Sequence, residues 1–259
     1  MRLHYRSYGT GSPLVILHGL FGSLNNWQTL AKRLAEHFSV FALDLRNHGH
    51  SPHSGDFTYA AMAGDVREFV LEHGLSPACV IGHSMGGKTA MELALHVPDI
   101  VDRLVVVDIA PKEYPAAHGE LMDAMDAVDP EAYTSREEID HALAKRVRDI
   151  AVRQFLLTNL RRDERGRYRW RMNLDAIRAN AGELGKAQRA DIPFPRPVLF
   201  ISGGRSTSIT PRDRPLIERL FPRATFETID GASHWVHADA PEEFLRLVLG
   251  FLTKQLPSG

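Results

Sequence analysis

The chain has 259 residues, 44% hydrophobic and 24% charged, which is enough apolar material for a sizeable core and excludes a disordered, collagen-like or coiled-coil protein. Its 31 Lys plus Arg balance 32 Asp plus Glu, so a formal net charge of -1 supplies no general attraction to nucleic acid or anionic membranes. One cysteine excludes an internal disulfide and a cysteine-based zinc site. The stretch Met1–Arg6 lacks the apolar segment of a secretory signal, and no apolar run nears the ~18 residues that span a bilayer, so a cytoplasmic protein without stable membrane insertion is expected.

Short apolar runs alternate with longer amphipathic ones, the pattern of parallel strands joined by crossover helices. In chain order the runs predict strands at Leu3–Tyr8, Leu14–Leu17, Val40–Leu43, Cys79–Ile81 and Leu104–Val107, with helices at Leu24–His37, Tyr59–His73 and Met85–His96 between them. Leu104-Val105-Val106-Val107 is apolar throughout, as a parallel strand covered on both faces should be. From residue 111 to 192 the alternation stops. Helical periodicity there predicts helices at Ala116–Val128, Glu137–Leu160 and Leu174–Leu184, the second opened by the Ser135-x-x-Glu138 capping box. Strands return at Val198–Ile201 and Thr225–Ile229, and a last helix over Pro241–Leu256 follows Asp239, a candidate cap. The expected organisation is therefore one α/β core, residues 1–110 and 193–259, interrupted by a helical cap over residues 111–192. That is far longer than an ordinary loop and so is expected to serve function.

Gly82-His83-Ser84-Met85-Gly86 places Gly-x-Ser-x-Gly between a predicted strand and a predicted helix. This setting is what a nucleophile elbow requires: the serine sits on a strained turn, flanking glycines permit the bend, and the helix start directs N–H groups at the site. The alternative reading is a plain glycine-rich turn. A serine hydroxyl needs a base, and His234 in the small-residue loop after the last strand has the right place in chain order. Thirteen histidines make a chance candidate easy to find, and His237 is the nearest competitor. The same segment, Gly82 to Thr89, fits the letters of a phosphate-binding loop, but nucleotide binding would leave His234 unexplained. Cys79 is expected to be a buried, inert thiol. A metal site from Asp44, His48 and His50 is conceivable but lacks a second cluster, so no metal is expected.

Leu17-His18-Gly19-Leu20-Phe21-Gly22-Ser23, Asp44-Leu45-Arg46-Asn47-His48-Gly49, the Gly82–Lys88 segment, Val107-Asp108-Ile109-Ala110-Pro111 and Gly231–Ala238 together resemble an α/β-hydrolase over essentially the whole chain. More narrowly, the chain is similar to bacterial YbfF-type esterases and their mitochondrial ABHD-type relatives. The resemblance implies Ser-His-acid chemistry, a cap inserted after the sixth core strand, and hydrolysis of esters or thioesters with no cofactor. It also implies an oxyanion hole built from the backbone N–H groups of Leu20 and Met85. Many such enzymes carry the acid in a Gly-x-x-Asp segment after the next strand. Here the corresponding run is Gly204-Arg205-Ser206-Thr207, and a threonine cannot hold the charge. Asp108, at the end of the Leu104–Val107 run, borders the same crevice and is the expected acid, with Asp213 and Asp230 as rivals. Phe21, Phe155, Leu156 and Trp235 are candidate substrate contacts. The arginines between Arg161 and Arg171 read as a solvated face or, more sharply, as contacts for an anionic acyl carrier. The expected function is a serine carboxylesterase acting on short-chain acyl esters through an acyl-enzyme. Thioesterase or C–C bond hydrolase action on the same residues is one alternative, and a non-catalytic ligand receptor on this fold is another.

Overall fold

A computed structural model describes residues 1–115 and 119–254. Among these residues nine strands occur in chain order: β1 Tyr5–Tyr8, β2 Pro13–Leu17, β3 Ser39–Leu43, β4 Ala78–His83, β5 Val101–Val107, β6 Leu160–Arg162, β7 Tyr168–Trp170, β8 Val198–Gly203 and β9 Ala224–Ile229. Seven form one sheet in the order β1-β3-β2-β4-β5-β8-β9, antiparallel only between β1 and β3. Alternate residues of the central strands enter two cores. Val15, Leu17, Val80 and Val106 pack with helices Tyr59–Glu72 and Met85–His96, while Leu14, Ile16, Ile81 and Val105 pack with Gln28–Leu34 and Pro241–Leu252. Each such fully buried Val, Leu or Ile contributes about 1.5–3 kcal/mol, so β4 and β5 give a stiff floor to whatever stands on their carboxyl ends.

All seven sheet strands and the helices flanking β4 stand within a few residues of their predicted places. The insertion leaves the sheet after β5, the fifth strand of the chain rather than a sixth, because the described sheet has seven strands and opens on the antiparallel β1. The insertion itself differs more from expectation. Its second helix is two, Arg136–Ala144 and Ile150–Leu157, because Asp149 accepts hydrogen bonds from Ala151 and Val152 N–H and starts a new helix. Arg153 donates to the Val147 and Arg148 carbonyls left open at the break. The Ser135–Glu138 capping box forms as the sequence indicates. The third predicted helix divides at Asn180 into Leu174–Ala179 and Ala181–Gly185.

A hairpin of β6 and β7 was legible only as a charged stretch. Its three-residue strands carry too few apolar positions for a period to register, and it is held by Asp163, whose carboxylate accepts from Arg165 and Arg167 N–H and pairs with the Arg167 and Arg169 side chains. Val128, Ile139, Leu143 and Leu157 make a separate small core beneath it. Residues 116–118 of the first predicted insertion helix, and residues 255 and 256 of the last helix, lie outside the described residues. Asp239 does not cap the last helix, whose N-cap is Ala240; its carboxylate instead accepts from the Ser233 N–H and hydroxyl. No helix among the described residues is long and apolar enough to cross a membrane.

Candidate active site

Ser84 follows β4 directly and precedes the helix Met85–His96. Its backbone takes φ 52 and ψ -117, a conformation that costs an L-residue of order 1–3 kcal/mol and persists only where neighbours enforce it. The enforcing contacts are close: a Cβ on Gly82 would lie 2.2 Å from the Gly86 carbonyl oxygen, and one on Gly86 would lie 2.5 Å from the Leu17 carbonyl oxygen. The elbow thus needs both glycines, and it lifts the Ser84 hydroxyl above the sheet. Asp108 ends β5 in the same way, with φ 52 and a fully buried side chain.

His234 stands between them. Its Nδ1 lies 2.7 Å from Asp108 Oδ2 and its Nε2 lies 3.0 Å from Ser84 Oγ. A carboxylate only accepts, so Nδ1 carries the proton and Nε2 presents its lone pair to the serine hydroxyl. Asp108 is itself held: the Gly203 N–H donates to Oδ1 at 3.0 Å, and the Ser206 hydroxyl donates to Oδ2. The segment around Thr207 thus touches both groups, Ser206 at Asp108 and Ser208, whose Oγ approaches His234 Nδ1 at 3.4 Å. Neither rival acid reaches the histidine. Asp213 pairs with Lys112 and Thr210, and Asp230 is exposed beyond β9. His237 is buried and stacked on Trp27, with ring centroids 4.2 Å apart.

The Leu20 loop is fastened from beneath by two neutral histidines. His18 donates through Nδ1 to the Gly19 carbonyl and accepts from Leu45 N–H; His48 donates to the Arg46 carbonyl and accepts from Phe21 N–H. Burial pushes His18 down to about 4 and His48 to about 3. Asp44 accepts from Leu24 and His50 N–H, so Asp44 and His48 direct their polar atoms at backbone groups and not at a common point for a metal. Met85 N–H belongs to the first helical turn, whose donors the helix itself leaves unused. The Cys79 thiol, pushed up to about 12 by burial, stays protonated as expected of an inert thiol.

Over Ser84 opens a cavity of about 260 Å³, lined by Leu20, Met85, Tyr59, Tyr114, Leu184, Lys88 and His234 among others. The four proposed substrate contacts are not in its wall. Phe21 and Leu156 are buried in the core, with Asn159 Nδ2 donating to the Phe21 carbonyl, and Phe155 packs on Trp235 at 5.7 Å. The tyrosines and Lys88 were missed. Lys88 offered a signal all the same, as the one cation on a helix whose residues from Met85 to Ala90 are otherwise apolar, glycine or threonine. Its Nζ donates to backbone carbonyls and not towards a nucleotide site. Among the six arginines from Arg161 to Arg171, Arg167 and Arg169 are paired with Glu131 and Asp163, and Arg162 donates to the Tyr168 hydroxyl.

His83, on β4 beside Ser84, donates through Nε2 to the His234 carbonyl at 2.9 Å. Burial holds it well below the ordinary value of 6.5, and holds His237 down to about 3. These four buried histidines, His18, His48, His83 and His237, must fold neutral, so the unfolded chain binds more protons below pH 6.5. Stability is accordingly full above that pH and is lost as pH falls towards about 4, each histidine adding about 1.4 kcal/mol per pH unit. Urea midpoints should drop steeply between pH 7 and 5, and His237→Phe should make the slope shallower. An unchanged midpoint over that range would contradict the account.

The chain belongs to the α/β-hydrolase fold family, whose model matches residues 12–241. Among its relatives is the sn-1-specific diacylglycerol lipase ABHD11 of Mus musculus, 44% identical over 247 residues that cover 92% of this chain and 80% of the relative. The esterase YbfF of Escherichia coli is 35% identical over 243 residues, 93% of either chain. The solved structure of a marine microorganism esterase superposes with a TM-score of 0.94 at 42% identity, covering 96% of this chain and 98% of that one.

Proposed function

We propose that the chain is a carboxylic ester hydrolase in which Ser84 is the nucleophile, His234 the general base and acid, and Asp108 the group that orients and stabilises the histidine. The observation that carries this reading is the placement of His234 between Ser84 Oγ and Asp108 Oδ2, at 3.0 and 2.7 Å. Ser84 attacks the ester carbonyl while its proton passes to His234 Nε2. The Leu20 and Met85 N–H groups hold the oxyanion, a task worth several kcal/mol of transition-state stabilisation where such donors have been removed. His234 then protonates the departing alkoxide, which leaves an acyl-Ser84, and activates the water that hydrolyses it. Every step uses groups of the chain itself, the ester and one water.

Residues 111–192 act in this reading as a cap on the core of residues 1–110 and 193–259, and they contribute Tyr114 and Leu184 to the cavity. The preferred substrates are short acyl esters, since about 260 Å³ falls just below the ~300 Å³ at which drug-sized ligand pockets begin. Thioesters share the same chemistry, but the paired state of Arg167 and Arg169 gives no support to a dedicated phosphate contact. A second reading, a lipase for acylglycerols, is favoured by the name of the 44% identical relative. Hydrolysis of p-nitrophenyl esters from acetate to laurate separates the two. The short-ester reading expects kcat/KM to peak at four to six carbons and fall by about tenfold or more by twelve. A rising profile to laurate, with turnover of diacylglycerol, selects the lipase.

A further inference from the structure

We infer that Lys88 is a positioning residue that ties both stems of the insertion to the helix following Ser84 and thereby sets the chain lengths the cavity admits. The inference rests on the reading of Ser84 as nucleophile only where it concerns substrates. Lys88 is 1% exposed, one helical turn beyond Ser84, and its N–H donates to the Ser84 carbonyl. Its ammonium donates to three backbone carbonyls, those of Lys112, Gly185 and Lys186. Lys112 lies where the chain enters the insertion and Gly185 and Lys186 lie where it begins to return, so one cation spans both crossings. The two stems also bond to each other, Tyr114 N–H to the Gly185 carbonyl at 2.8 Å and Gln188 N–H to the Pro111 carbonyl at 3.1 Å.

No carboxylate stands among the three acceptors, so the charge is offset by peptide dipoles and by the faces of Tyr59 and Tyr114, 5.4 and 4.9 Å from Nζ. A cation buried on such terms is costly, and three charge-assisted hydrogen bonds with fixed geometry are what hold it. They also hold the wall. Gly185, Leu184 and Tyr114 line the cavity, and Tyr59 Oη donates to the Leu184 carbonyl at 2.8 Å. Releasing the stems from Lys88 moves that wall away from Ser84 and lengthens the space available to a chain.

The clamp works only with three donors. A neutral amine has two N–H groups and a lone pair, so deprotonation sets that lone pair against a carbonyl. The groups facing Lys88 are Tyr59 on the helix Tyr59–Glu72, Lys112, Glu113 and Tyr114 on the entering stem, Lys186 on the leaving stem, and Ser84 with His234 across the cavity. Burial raises both tyrosines, Lys112 is paired with Asp213, and burial lowers Lys88 to about 8 against a smaller raising effect of Glu113. Lys88 therefore loses its charge on mild alkalinisation.

The test compares Lys88→Met with the parent chain by hydrogen exchange and by ester kinetics. In the variant the Tyr114 and Gln188 amides should exchange about tenfold or more faster than in the parent at the same pH, with the amides of β4 and β5 unchanged. Over series of esters homologous in the acyl or the alcohol part, the long-to-short ratio of kcat/KM should rise about tenfold in the series that occupies the cavity, through KM and not kcat. In the parent the same ratio should rise between pH 7 and 9.5, a comparison in which titration of the shared base cancels, and it should be flat with pH in Lys88→Met. The parent series decides the matter should the variant not fold. Unchanged exchange at the stems, or a length ratio that responds neither to the substitution nor to pH, overturns the role. If no ester is turned over at all, the reading of Ser84 fails, while exchange still decides that of Lys88.

Discussion

Ser84→Ala is expected to lower kcat by at least ~10⁴-fold while the chain remains folded, the largest effect of any single substitution considered. The substitution removes one oxygen from a residue whose backbone is already committed to φ 52, a strain that alanine shares with serine, so no compensating stabilisation arises. Fluorophosphonate, which reacts only with an activated hydroxyl, should label the parent at Ser84 once per chain and leave the variant unlabelled. An unfolding free energy in urea within about 0.5 kcal/mol of the parent would tie the loss to chemistry rather than to folding. Residual turnover near the parental level, with label elsewhere, would remove Ser84 from the role, whereas a parent that neither takes the label nor turns over any ester would bring the ligand-receptor reading forward.

Asp108→Asn should cost about 10⁴-fold in kcat at saturating ester. The amide can keep the geometry, but it offers His234 Nδ1 either a donor or an uncharged acceptor, and it no longer stabilises the imidazolium formed when Ser84 yields its proton. Asp108 has no exposed surface, and its second oxygen is fixed by the Gly203 N–H, so no neighbouring solvent or side chain supplies the missing charge. Asp213→Asn is the matched control. That carboxylate is engaged by Lys112, Thr210 N–H and the Thr210 hydroxyl, and its loss should change kcat by less than about tenfold while weakening the start of the segment Pro211–Asp213. The reverse pattern, a large loss only in Asp213→Asn, would reassign the acid.

The sheet was legible in the sequence because buried parallel strands admit little but apolar residues: Leu14–Leu17 and Leu104–Val107 are apolar throughout and too short for helices of usual length. The places of Ser84 and His234 were legible for a different reason, since the glycines that the tight turn requires and the chain order of the two leave a mark apart from apolar periodicity. Asp108 was reached through an absence, the threonine at position 207, joined to its place at a strand end. The substrate contacts were not legible. Phe155 and Trp235 are large and apolar, as a pocket lining should be, yet they pack on one another, while the wall of the cavity comes from Tyr59, Tyr114 and Leu184 on three elements remote in sequence. Local periodicity reports which face of a helix is buried and carries no information on what it is buried against. The β6–β7 hairpin escaped for a related reason, its stability residing in Asp163 and its arginine partners instead of in an apolar pattern.

The pairing of β4 with β5 aligns His83 with Val107, so that Ser84 and Asp108 are the next residues of adjacent, hydrogen-bonded strands. The Ser84 N–H in turn donates to the Val107 carbonyl at 3.0 Å. Two of the three groups are therefore parts of a single casting, whose spacing is set by the interstrand repeat and cannot drift with the loops. The third, His234, arrives on a separate arm after β9 and is steadied by the His83 ring from below. Wear in this assembly has one joint to act on. A variant of the fold that lengthens, shortens or replaces the insertion between Asp108 and β8 leaves the casting untouched and has only to return that arm to its seat.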